Sequence, residues 1–463
     1  MKLPLWARAL DAVAIVMAIL AVSVAVTGGF RILDFGARLS ITDWWRPALW
    51  CAIALAARHA IIRRDPLPQR AAAGIAAWWR HQDTRTLLPI HFATRFGVLV
   101  VGFAAVILIG FPPEAKSRWH IYQNDLLDLP ARWDTGWYLM VANEGYLYSA
   151  DATADSQQNI AFFPAYPMAM RYLSPLFGRH TLWTGVLISL VAFYLALVYL
   201  LRLARSELGN EDQAVTAVTL LAAYPFAVFF SAAYTEGLFL LTLLGAVYHF
   251  RRDELWRSAV WGFLCGLTRP PGCFLSVVIG LMALRSAFAQ GATADRAQIA
   301  RRLLAASAPG LGMLTFSAFI YRLTGHPFQW TMQNAAWGRV YKGLDEIVTD
   351  RVMFIVNNGF YAYLSTQTID LFYSLAVILC LAAVWPVYRR FGLPYAAFIV
   401  LNVLPPMSAG GMLSMGRVTS VLFPVFLWMG AAVPPRHRMA WITVFALLQG
   451  FVAVMFFTWR PLY

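Results

Sequence analysis

Two carboxylates and three arginines stand where apolar sequence gives way to polar: Asp134 in RWDTGWYLMVANEGY, Glu236 in AAYTEGLFL, Arg269 in GLTRPPG, Arg339 in GHPFQWTMQNAAWGR and Arg417 in SMGRVTSVLFP. A guanidinium presents a fork of donors that matches phosphate oxygens. A carboxylate near a bound phosphate can take a proton as general base. Taken singly, each of these residues also has a bland reading. The arginines snorkel at membrane edges, and Asp134 is an N-cap set in a belt of aromatic rings. An acid such as Glu236, in a connection of very few residues between two apolar runs, is expensive unless it is paired or functional. Together the five residues suggest a phosphate held near a carboxylate at a membrane surface.

The elements that carry them follow from composition. Of the 463 residues, 60% are hydrophobic and 13% charged, about half the charged fraction of a soluble domain. Apolar runs of spanning length recur, so the expected class is an all-α polytopic membrane protein. The expected spans are 11–29, 47–62, 96–112, 182–200, 214–231, 236–250, 257–268, 272–286, 303–321, 371–388, 392–407, 418–433 and 438–458, thirteen in all. The first run follows Lys2 and Arg8, is long, and lacks a small-residue cleavage site, so it reads as a retained span. Pro270–Pro271 makes one unbroken helix costly there, and two short helices bent at 268–272 are expected.

The net charge of +14 could point to nucleic acid, but the basic residues cluster in RRDPLPQR, RRDELWR and PRHRM. With the N-terminus cytoplasmic, these fall inside, as topology signals and contacts to anionic lipid. No nucleic-acid partner is expected. Two long polar segments, 113–181 and 322–370, then face outward with interfacial helices, and the five charged residues lie on that side. No P-loop, no GxGxxG after a strand and no HExxH occurs. Cys51, Cys265, Cys273 and Cys380 lie in apolar runs without CxxC spacing, which suggests core residues and neither a disulfide framework nor a metal site.

RWDTGWYLMVANEGY, AFFPAYP, YPFAVFFSAAYTEGLFL, GLTRPPG, GHPFQWTMQNAAWGR and SMGRVTSVLFP run in order from 132 to 426. In that order they resemble the PIG-V-like (GPI mannosyltransferase 2) family of GT-C membrane glycosyltransferases, in its bacterial branch. Val418 stands where the pattern leads one to expect an aromatic, and the spans before residue 95 have no counterpart. Residues 1–95 therefore read as a two-span extension with a basic cytoplasmic loop, and 96–463 as the GT-C core. Lysine occurs only at 2, 116 and 342, a bias towards arginine that suggests a GC-rich bacterial genome.

The resemblance implies a polyprenyl-phosphate-linked hexose donor, typically mannose, used at the outer face of the plasma (inner) membrane. It maps acids onto Asp134 and Glu236, and arginines onto Arg269 and Arg417. On this reading Asp134 is general base in an inverting transfer, and Glu236 orients the acceptor or an arginine. Arg417, Arg269 and Arg339 hold the donor phosphate. Trp133, Trp137, Tyr138, Tyr166, Gln333 and Trp337 contact sugar or acceptor. No cofactor is required, although a divalent cation between Asp134, Glu236 and the phosphate is compatible with the set. The acceptor, whether lipid, glycan or protein, leaves no trace in the sequence. A lipid or solute transporter or flippase, a polyprenyl-diphosphate-dependent ligase and an inactive scaffold are the alternatives.

Overall fold

A computed structural model describes residues 3–34, 37–62, 66–113, 115, 120–151, 156–291, 295–460 and 462, with the backbone alone for 30–34, 37–39 and 290. Lys2, Arg63, Arg64 and Lys116, which figure in the charge pattern, lie outside the described residues.

The chain forms two compact units, Met1–Thr86 with Ala169–Thr184, and Leu87–Met168 with Gly185–Tyr463. In the first, helices α1 (Leu5–Thr27) and α2 (Trp45–Ile61) pack together, and α3 (Leu67–Arg80) follows. Asp11 of α1 is buried and pairs with Arg58 of α2 at 3.3 Å and with Arg70 of α3. Strands β1 (Phe30–Asp34) and β2 (Ala37–Ile41) pair antiparallel, Phe30 opposite Ile41. This hairpin departs from the all-α expectation.

Helix α4 (Gln82–Leu108) begins fourteen residues before the expected span at 96, within what reads as a cytoplasmic loop. The chain continues with α5 (Thr135–Glu144), α6 (Ala165–Leu173), α7 (Thr181–Leu208), α8 (Glu211–Ala223), α9 (Glu236–Arg251), α10 (Leu255–Gly266), α11 (Phe274–Gln290) and α12 (Arg296–Thr324). After these come α13 (Gln329–Met332), α14 (Leu344–Asn358), α15 (Phe360–Thr366), α16 (Thr368–Phe391), α17 (Leu393–Ser408), α18 (Met415–Thr419), α19 (Phe423–Ala432) and α20 (Arg438–Phe457). The two long polar segments thus carry short helices, as expected.

The protein is a helical multi-span membrane protein, but thirteen full spans overstate it. Among the described residues seven helices are long and apolar enough to cross a membrane, or eight if one bent pair counts as a span. The bent pair is α8 and the 3-10 turn Pro225–Ser231, which meet at 76°. Proline has no N–H to continue the ladder, so the run expected at 214–231 breaks. Arg95 of α4 donates to the carbonyl oxygens of Ala222 (2.6 Å) and Ala227, and to Ser231 Oγ (3.1 Å). Gln449 Nε2 of α20 donates to Ala222 O (3.0 Å) and Tyr224 O (2.8 Å). The orphaned carbonyls of the break are thereby satisfied inside apolar surroundings. The chain emerges at Tyr234, Thr235 and Glu236. The expected span 418–433 is likewise divided, into α18 and the ten-residue α19. The bend at TRPPG is present, as the 3-10 turn Pro270–Cys273 between α10 and α11.

α10 and α12 approach through small residues. Gly262 and Gly266, one helical turn apart, face Pro309, and Gly312 faces the carbonyl of Phe263. Close backbone approach of this kind is how helices associate in lipid. Ion pairs mark the region where α7 and α9 end and α10 and α12 begin: Arg251–Glu207 (2.9 Å), Arg257–Glu254 (2.7 Å) and Arg302–Asp253 (3.0 Å). Glu236, Arg269 and Trp330 therefore lie at the opposite end from the basic turns. A side chain at Gly266 would drive α10 off α12 and displace Arg269, three residues on. Gly266→Val is expected to cost about 1–3 kcal/mol by overpacking and to lower the melting temperature of detergent-purified protein.

Candidate functional site

Asp134 takes the N-cap position of α5, yet its side chain makes no capping bond. The reason lies one residue earlier. Trp133 has φ +51°, and its indole Nε1 donates to Phe456 O at the end of α20 (3.3 Å). Arg132 Nε donates to Phe457 O (2.7 Å) and its Nη1 to Asp128 O (2.7 Å). The Asp134 amide donates to the Tyr234 hydroxyl (3.1 Å). The backbone is thus pinned on both sides, and the carboxylate turns away from its own helix to pair with Arg417 Nη1.

Asp128 secures the loop that leads in. Burial alone would push its carboxyl up, but amides of Tyr122, Ile121 and Asn124 and the His120 ring hold it below the usual carboxylate range.

Glu236 opens α9 and is fully buried. Its Oε1 accepts from Arg417 Nε (2.5 Å) and Arg269 Nη1 (2.8 Å), while Oε2 has no hydrogen-bond partner among the described residues. The faces of aromatic rings replace water around the cations. Arg417 lies 4.7 Å from the Tyr234 centroid and 5.6 Å from Phe229, and Arg269 lies 5.7 Å from Phe239. Four of the five charges read from sequence therefore form one chain, Asp134–Arg417–Glu236–Arg269.

Beside this chain is a cavity of about 660 Å³, lined by Asp134, Arg339, Arg417 and Ser414 among polar groups and by Trp133, Trp137, Phe162, Trp337 and Trp459 among rings. Its size lies in the usual range for small-molecule sites. Of the two acids only Asp134 faces it, with 29% of its side chain exposed against 0% for Glu236. Arg339 makes no side-chain hydrogen bond or ion pair among the described residues. Burial, with Arg417 nearby, lowers its affinity for a proton despite the opposing pull of Asp134. Two cations, one of them unpaired, thus face a cavity that contains one carboxylate.

Three of the predicted contact residues line this cavity: Trp133, Trp137 and Trp337. The Trp137 ring stacks on Phe162 at 5.8 Å, and Trp337 meets both edge-on. The other three do not line it. Tyr138 is buried with its hydroxyl 3.4 Å from Thr235 Oγ1. Tyr166 is buried and bonded to Gly185 O (2.8 Å) and Ser189 Oγ (2.9 Å). Gln333 is buried, and its Oε1 has no partner among the described residues. Arg269 is also absent from the lining, being taken up by Glu236. Among the described residues no group of three His, Cys, Asp or Glu side chains gathers at one point; Asp134 and Glu236 are already committed to arginines.

Sequence reasoning missed Tyr234, Ser414 and Trp459. Trp133, Ser414 (φ +59°) and Trp459 (φ +59°) are three of the six non-glycine residues with positive φ among those described. All three line the one cavity. Such conformations cost about 1–2 kcal/mol each and concentrate where a site requires them.

A sequence model of the family described as Mannosyltransferase (PIG-V) matches residues 108–340, half of the chain. The chain belongs to the PIG-V mannosyltransferase family. It is similar to GPI alpha-1,6-mannosyltransferase 2 of Homo sapiens and of Cricetulus griseus, 33% identical to each over 160 residues. That stretch is 32% of this chain and 31% of either relative. The oligosaccharyltransferase AglB of Archaeoglobus fulgidus, solved with an inhibitory peptide and a dolichol-phosphate, aligns over 81% of this chain and 56% of its own, at 11% identity and a TM-score of 0.39. The PIG-V match includes Asp134, Glu236, Arg269 and Arg339, whereas Arg417 and Trp459 lie beyond it.

The two cavity arginines of this PIG-V family member should respond differently to substitution. Arg339→Gln leaves no partner stranded among the described residues, so the melting temperature of the purified protein should stay close to wild type. Arg417→Gln leaves Asp134 unpaired and Glu236 with Arg269 alone. It should destabilise the fold by about 3–5 kcal/mol, read as a large drop in melting temperature.

Proposed function

We propose that this protein is a GT-C-type inverting glycosyltransferase that moves a hexose, mannose first among candidates, from a polyprenyl-phosphate-sugar to an acceptor on the extracytoplasmic side of a bacterial inner membrane. One observation carries the reading: Arg339, which has no ion-pair partner among the described residues, and the Asp134–Arg417 pair face one aromatic-walled cavity. The phosphate of the donor docks on Arg339 and Arg417. As it draws Arg417 towards itself, an Asp134 oxygen becomes available to the hydroxyl of the acceptor.

The acceptor oxygen attacks C1 of the sugar from the face opposite the phosphate, and its proton passes to Asp134. The C1–oxygen bond breaks, its electron pair stays on the phosphate oxygen, and lipid monophosphate leaves. A single displacement inverts C1. Preorganised guanidiniums stabilise the charge that develops on the departing phosphate. Glu236, sealed from the cavity, acts as the anchor that fixes Arg417, with Arg269 as its counter-charge; of the three arginines first read as phosphate ligands, Arg417 and Arg339 keep that role and Arg269 does not. Trp133, Trp137 and Trp337 form walls for sugar or lipid. Residues 1–95 are an extension of the core that begins at 96. The basic turns opposite the site fit a cytoplasmic face. A bacterium builds no GPI anchor, so the acceptor differs from that of the animal relatives.

Asp134→Asn keeps the volume and removes the base. Membranes carrying this variant, given polyprenyl-phosphate-mannose, should transfer at least about a hundredfold more slowly with donor binding retained. Wild-type product analysis should find lipid monophosphate. Near-normal transfer by the variant, or release of lipid diphosphate, contradicts the assignment.

A further inference from the structure

We infer that Trp459 is a donor-sugar contact: its indole packs against the C–H face of the transferred hexose. The inference rests on the glycosyltransferase reading and adds a residue that no sequence motif marks.

The chain leaves α20 at Phe457 and turns sharply. Trp459 takes φ +59°, a conformation that is a genuine outlier for a bulky side chain. The turn is fixed on both sides. Thr458 Oγ1 donates to Val454 O (2.6 Å), the Arg460 amide to Met455 O (3.0 Å), and Arg460 Nη1 to Gly110 O (3.2 Å) and Thr458 Oγ1 (2.7 Å). Mere filling of space would leave the ring buried in the core. Instead Trp459 is partly exposed and lines the cavity that holds Asp134, Arg339 and Arg417. Its ring lies 4.9 Å from that of Trp133, tilted by 51°, and the Arg132 guanidinium lies 5.8 Å from its centroid. The two indoles form an aromatic wall adjoining Asp134, to which Trp133 is bonded in sequence.

A reacting C1 must lie between the carboxylate and the phosphate held by the arginines. The ring that bears C1 therefore lies over whatever surface adjoins Asp134. The C–H face of a sugar and an isoprenyl chain both suit an indole, but the polar surroundings of this wall favour the sugar.

Binding of two probes separates them: polyprenyl-phosphate-mannose and polyprenyl phosphate without sugar, each titrated into purified full-length protein. Trp459→Ala should weaken the sugar-bearing probe about tenfold, the scale of one aromatic contact, and leave the sugar-free probe unchanged. Trp459→Tyr should restore most of the loss, and the melting temperature of both variants should stay close to wild type. Equal weakening of both probes would make the ring a lipid or structural contact and overturn the inference. So would unchanged affinity in the alanine variant. If wild type binds neither probe, the glycosyltransferase reading itself fails and this inference with it, a result distinct from the other two.

Discussion

Glu236 is a carboxylate with no solvent exposure at the head of an apolar helix. A lone charge in that place would cost several kcal/mol, so the fold must bring cations to it. Two come, Arg417 and Arg269, from elements far apart in sequence, and both share one oxygen of the carboxylate. Arg417 in turn carries Asp134. The ion chain sets the distance between the α5 entry, the α9 start, the TRPPG turn and α18. It also explains why Asp134 leaves its capping role: its carboxylate pairs with the outermost cation of a buried network.

The broken span is what allows Glu236 to be there. A straight continuation of α8 would carry 225–235 along the helix axis. The break at Pro225 turns the chain instead, and Arg95 and Gln449 take up the carbonyls it leaves. These two are buried polar side chains whose partners are backbone carbonyls and the hydroxyls of Ser231 and Thr94 rather than an acid. They position the site without lining the cavity. Trp133, Ser414 and Trp459 represent a second expense of the same kind. Each accepts a left-handed backbone so that a side chain or a turn faces the cavity.

How much of this could be read from sequence depends on whether the cause was local. Charges at the edges of apolar runs are locally anomalous, and Asp134, Glu236, Arg269, Arg339 and Arg417 were legible for that reason. Helix existence was legible from apolar runs, and the TRPPG bend from its prolines. Helix length was less so. Residues 214–231 and 418–433 have spanning composition, but a proline in the first and the irregular 420–422 segment in the second cut them short. The hairpin at 30–41 lies in sequence whose period favours neither class. Tyr138 and Tyr166 sit in an aromatic belt beside Trp133 and Trp137, and composition cannot separate rings facing a cavity from rings facing the core. Trp459 was invisible because its partner Trp133 is over three hundred residues away.

The claim on which all else depends is that Asp134, Arg417 and Arg339 meet at one cavity that receives a phosphate. An experimental density map of the full-length protein with polyprenyl phosphate bound tests it directly. The account predicts the phosphate within hydrogen-bond reach of Arg339 and Arg417, and the Asp134 carboxylate at the same cavity. A phosphate bound elsewhere, or Asp134 and Arg417 found too far apart to pair, would contradict it.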